Sequence, residues 1–138
     1  MNTWLTSILR TRVAVDATAL EIAEAMSRTL VAIDDALAPT LGHQAVTLLF
    51  RRSFLASARA HPWMGPLNEG NHARLGLESV TMLFSQQPSR DAAVAGTAFL
   101  QTFYDFLVAL LGVSLSERLL RPVWANKWVV GRVATNHR

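Results

Sequence analysis

The chain has 138 residues, enough for one domain with a sizeable hydrophobic core. Half of it is hydrophobic (51%) and only 17% is charged, which excludes an intrinsically disordered chain. Cysteine is absent, so disulfides, thiolate nucleophiles and cysteine-based zinc or iron–sulfur centres are excluded.

The net charge is +3, and Lys127 is the one lysine among 13 basic residues. No acid follows Glu117, whereas Arg118, Arg121, Lys127, Arg132 and Arg138 do. Neither a Lys/Arg run nor a nucleic-acid-binding motif accompanies them, so this end reads as a solvated basic face, and nucleic acid is not an expected partner. Met1-Asn2-Thr3 carries no basic side chain, and Arg10 and Arg12 follow a short apolar stretch. That order does not fit a signal peptide, and the cytoplasm is the expected location.

In chain order, residues 2–12 predict a short helix with Trp4, Leu5, Ile8 and Leu9 on one side. Asp16 is the expected N-cap of a helix over 17–38, where Ile22, Met26, Leu30, Ile33 and Leu37 recur at helical spacing. Glu24 and Arg28 are spaced to pair on its outer side. Asp34 and Asp35 stand near its C-terminal end, which the helix dipole disfavours. Pro39 is the expected stop. A further helix begins at Thr40 or Leu41 and runs to about Ala60. Its apolar face includes Ala45, Leu48, Leu49, Phe54, Leu55 and Ala58, with Arg51, Arg52 and Arg59 turned to water or a partner.

The stretch 61–72, HPWMGPLNEGNH, breaks the periodicity with two prolines and two glycines and predicts a loop anchored by Trp63 and Met64. Residues 73–86 predict a helix. Ser89 is the expected cap of the next one, with Asp91 in its first turn. That helix runs to Leu111 and buries Phe99, Phe103, Phe106, Leu107, Leu110 and Leu111; Thr97, Gln101, Tyr104 and Asp105 lie towards its other side. Gly112 is the expected left-handed stop. Ser114 and Glu117 have capping-box spacing for a last helix from 115, in which Pro122 is a kink or terminus. Residues 128–138 form a tail that reads as an arm or a short strand. The whole chain, 1–138, reads as a single all-α domain, a bundle of five to six helices.

The stretch 94–113 has the length of a membrane span, but Gln101 and Asp105 interrupt it, so a core helix and no membrane span is the expectation. Asp105 within so apolar a helix calls for a partner, and Arg118 or Arg121 is the expected one.

Chemistry-bearing patterns are sparse. Loop 61–72 brings His61, Glu69 and His72 close together, the weak candidates for a metal site. His43 in a first helical turn has a phosphorelay position without the flanking cations that reaction needs. No nucleophile elbow, phosphate-binding loop, dinucleotide fingerprint or zinc-protease motif occurs. No catalytic residue, resident metal or cofactor is assigned, and the chain is expected not to be an enzyme. A ligand pocket between helices would be lined by Phe50, Phe54, Met82, Phe99 and Phe103. Trp4 and Trp128 near the termini are the expected contacts of a homodimer or another protein partner.

Two stretches, LGHQAVTLLFRRSFLASARAHPWM (41–64) and FLQTFYDFLVALLGVSLSERLLRPVW (99–124), resemble a pattern in uncharacterised bacterial helical proteins. There a Leu-Gly helix start leads through Arg to Pro-Trp, and an apolar helix ending in Leu-Gly precedes Leu-x-x-Arg-Leu-Leu-x-x-x-Trp. The resemblance implies a bacterial all-helical protein and assigns no catalytic residue.

Overall fold

The structure is a computed structural model and describes residues 18–68 and 77–125. Among them are five α-helices, one 3₁₀ segment and no strand, so the chain forms an all-α helical domain. The expected helix over 2–12, the Asp16 cap and the tail 128–138 lie outside the described residues.

Helix α1 is Ala19–Leu41. Its N-cap is Thr18, whose hydroxyl accepts from the Glu21 amide at 3.1 Å while the Glu21 carboxylate accepts from the Thr18 amide at 2.9 Å. This reciprocal box satisfies two amides that no helical turn can reach. Ile22, Met26, Leu30, Ile33 and Leu37 are all buried, as their spacing predicts. Pro39 does not end the helix. It sits in the last turn, where a missing amide deprives only the Asp35 carbonyl, at an exposed position. Gly42, at φ +87°, makes the actual stop and donates its amide to the Ala38 carbonyl at 2.7 Å.

Helix α2, His43–Ser57, starts directly after that glycine, later than Thr40 or Leu41. The Gly42 carbonyl accepts from the Val46 amide at 3.2 Å, so one residue closes one helix and opens the next. A 3₁₀ segment, Pro62–Asn68, replaces the expected loop over its first part. It seals one end of the core with buried Met64 and Leu67, and the Trp63 ring meets Phe84 edge-on at 4.9 Å. Helix α3, Leu77–Ser85, falls within the expected 73–86, of which 73–76 lie outside the described residues. It buries Val80 and Phe84 and is tied to α1 through the Ser27 and Thr81 hydroxyls, 2.6 Å apart.

Helix α4, Ser89–Leu111, has Pro88 at its N-cap, and Ser89 is its first residue with no side-chain cap bond. Proline's fixed φ and extended ψ point the chain into the helix and take the position expected for serine. Gly112 ends α4 at φ +87°, ψ 162°. The positive φ is as expected, but ψ is extended rather than left-handed helical, because helix α5, Val113–Ala125, begins at the next residue. Ser114 therefore falls inside the first turn of α5 and forms no capping box with Glu117. Pro122 neither ends α5 nor caps it; the helix continues to Ala125.

Helix α1 packs against all four other helices, and the aromatic part of the core lies between α2 and α4. Phe103 meets Phe50 of α2 at 5.1 Å between ring centres, and Phe99 stacks on Phe54 at 4.2 Å. Ascending residues of α2 thus meet descending residues of α4, so the two helices run antiparallel. Helix α4 is long and apolar enough to cross a membrane by length and composition alone. One face of it, with Phe99, Phe103 and Leu107, is packed inside the protein, while Asp91 and Asp105 stand exposed.

Candidate functional site

The outward side of the α2–α4 pair is the most distinctive surface among the described residues. On α2, Leu48 is 60% exposed and Leu55 is 55% exposed. They are seven residues apart, two turns along the same side of the helix. Arg52 and Arg59 interleave with them and are exposed too. The outward side of α4 carries Asp91, Val94, Ala98, Thr102, Asp105 and Ala109, small side chains interleaved with two exposed acids. The Arg52 guanidinium lies over the half-buried Phe106 ring, 5.6 Å from its centre, and so leans across the groove between the helices. Burying both leucines in the core is impossible, because the opposite side of α2 already presents Val46, Phe50, Ser53, Phe54 and Ser57.

The α4–α5 corner reverses two expectations. Asp105 is exposed and accepts from the Gln101 amide at 2.9 Å; it is not a buried carboxylate and pairs with neither Arg118 nor Arg121, both exposed. Tyr104, expected on the outer side, is buried, and its hydroxyl donates to the Glu117 carboxylate at 2.9 Å. The polar tie between the two helices is therefore tyrosine to glutamate. Desolvation first, then the bond to Glu117 and the nearby negative charge, push the Tyr104 phenol up to about 12. Phe106 and Leu110 also depart from expectation. Phe106 is half-buried beneath Arg52, and Leu110 is 60% exposed because α4 runs past the core before Gly112.

At the α1–α2 corner, His43 Nδ1 and Asp34 Oδ2 are 2.8 Å apart. Asp34 belongs to the negative end of α1 but reaches the first residue of α2, where the positive end of that helix compensates it. Beside it lies a small cleft of about 70 Å³, lined by Leu30, Val31, Asp34, Asp35, Thr47, Phe50 and Leu77. Sites for drug-sized ligands are several times larger, about 300–1,000 Å³. No nucleophile stands within hydrogen-bond reach of His43 among the described residues.

The structure gathers Phe50, Phe54, Phe99 and Phe103 into one cluster in which the rings fill the space between the helices. Met82 is apart from them, 53% exposed on α3. His61 is half-buried next to Trp63, at 6.5 Å between ring centres. Glu69, His72, Trp4 and Trp128 lie outside the described residues. Among the described residues no three His, Asp or Glu side chains approach closely enough to hold a metal ion. Glu24 and Arg28 are both exposed, and their expected pair is not formed.

Leu48 and Leu55 belong to the expected apolar side of α2, and the structure turns both of them to the outward face. A signal for that face was present: apolar positions covering more than half of α2's circumference, more than one neighbouring layer can bury. No protein-family model matches the chain, and no curated protein or solved structure matches it either.

Proposed function

We propose that this protein is a non-enzymatic helical interaction module, a homodimer that serves bacterial signalling or regulation in the cytoplasm. The observation that carries the reading is the outward face of α2, where Leu48 and Leu55 present an apolar stripe to solvent two turns apart. A single exposed leucine is ordinary, but an ordered stripe with interleaved arginines is the composition of a contact surface. The chemistry on the described residues supports the same choice. His43 is engaged by Asp34, and Tyr104 is engaged by Glu117, so each polar cluster has a structural use.

Sedimentation equilibrium of the purified chain over a wide concentration range tests the reading. A concentration-dependent dimer mass is expected. A monomer at every concentration, with no protein partner retained from bacterial extract by the wild-type chain, would sink it.

A further inference from the structure

The α2–α4 face carries its own complement. Basic residues, Arg52 and Arg59, line α2, and acidic residues, Asp91 and Asp105, line α4. The large apolar side chains Leu48 and Leu55 stand on α2, while the outward side of α4 carries Ala98, Thr102 and Ala109, with Val94 as its one larger apolar residue. On this face the arginines of α2 complement the aspartates of α4, and the two leucines complement the small side chains between them. Within one chain the two lie side by side and cannot cover each other's outward sides. A second copy can.

We propose that two copies pack through this face about a two-fold axis parallel to the helices, α2 of each lying on α4 of the other. The proposal rests on the homodimer reading and names the surface that makes it. Such an axis keeps every residue at its own level along the bundle, and an isologous contact uses each complementary pair twice. The ring contacts set those levels: Phe50 is opposite Phe103, and Phe54 is opposite Phe99. Leu55 then sits over Ala98 of the other copy, and Leu48 comes level with Asp105, between Thr102 and Ala109. The Arg52 head already leans to the level of Phe106, one residue from Asp105, so it meets Asp105 of the other copy. Arg59 lies level with Val94, one turn from Asp91, within the reach of its long side chain. The result is a four-helix layer in which leucines meet small side chains and the interleaved opposite charges fix the register.

A mixing experiment tests this. Arg52→Glu and Asp105→Arg are prepared separately and their masses measured by sedimentation, with circular dichroism as a control on folding. Each variant alone sets like charges against each other at two places, and its dimer should weaken about tenfold or more. Mixed in equal amounts, the two should form a heterodimer of wild-type affinity. In that species the substituted position 52 of one copy faces the substituted position 105 of the other with the two charges exchanged, and the remaining pair is wild type. Recovery in the mixture cannot arise within one chain. A wild-type dimer that neither variant weakens places the contact elsewhere and overturns this inference while leaving the homodimer reading intact; the face then belongs to another occupant, such as residues 1–17. Weakening by both variants without recovery on mixing also overturns it. A wild-type chain monomeric at every concentration overturns this inference together with the homodimer it rests on.

Discussion

Two adjacent residues, Tyr104 and Asp105, show how much depends on a rotation of one position around a helix. Each residue advances the direction by about 100°. Tyr104 falls on the side of α4 that meets α5, and Asp105 falls outside. The phenol gains a carboxylate partner and loses water, which raises its pKa from the ordinary 10.0 to about 12. A group whose pKa is raised by folding contributes stability fully below its unfolded value and loses it as pH rises through the folded one. This tie should thus be intact below pH 10.0 and vanish towards about 12. Tyr104 is the chain's single tyrosine, so tyrosinate absorbance during an alkaline titration reads it directly. A midpoint at the ordinary value would contradict the buried bond. Tyr104→Phe should cost about 1 kcal/mol in urea unfolding, the usual net worth of one hydrogen bond. Gly42 and Gly112 make the second residue-scale case. Both sit at φ +87° with extended ψ, and a Cβ at either would meet nothing within 4 Å. The expense of Gly42→Ala or Gly112→Ala is therefore backbone strain alone, about 1–3 kcal/mol each. Gly65→Ala, with equal space and no positive φ, should change stability far less in the same melts.

Among the elements, α1 touches every other helix, and α4 adds a second link because its two flanks meet different helices. Its Phe99 and Phe103 pack against Phe50 and Phe54 of α2, and Tyr104 reaches α5. Phe54→Ala or Phe99→Ala should each remove about 3–5 kcal/mol, since the rings are fully buried and their neighbours cannot close the gap. Met82→Ala, on an exposed position, should stay within about 0.5 kcal/mol. Ser116 offers the opposite sign. Its hydroxyl is buried in α5 with no hydrogen-bond partner. Ser116→Ala removes an unsatisfied group and improves helix propensity, so a gain of about 0.5–1 kcal/mol is expected in denaturant melts. Helix periods were legible in the sequence because they repeat every turn: the α1 core series is buried throughout. Caps were less so. Thr18 and Pro88 took the cap positions expected of Asp16 and Ser89, Gly42 made the stop expected of Pro39, and Ser114 formed no box with Glu117, whereas Gly112 stopped α4 as expected. Several residues near a helix start satisfy the same local chemistry, and the neighbouring helix decides which one the chain turns at.

For the molecule as a whole, the deciding fact is how many sides of α2 are covered. Helix α4, α1 and the 3₁₀ segment cover its inner side, and Leu48 and Leu55 remain outside. If the proposed face is the dimer contact, Leu48→Ala and Leu55→Ala should each weaken the dimer about tenfold. Neither should alter the helical content of the isolated chain, because both side chains are already more than half exposed. Sedimentation and circular dichroism on the same samples separate the two effects. Loss of helicity in step with loss of dimer would instead mark the leucines as parts of the core.

The sequence by itself determined that the chain is helical, where most helices lie and which residues of α1 form the core. These follow from interactions within a few residues, apolar spacing and the backbone freedom of glycine, and they are written locally. The aromatic set Phe50, Phe54, Phe99 and Phe103 was legible in the same way, and the structure brings those four together. Only the tertiary structure decided that the four rings fill the space between α2 and α4, that Glu117 serves Tyr104 rather than a cap, and that Leu48 and Leu55 face outward. Each of these turns on which neighbour covers a given side of a helix. Apolar spacing records that a side is to be buried, but not whether the covering surface belongs to the same chain or to another.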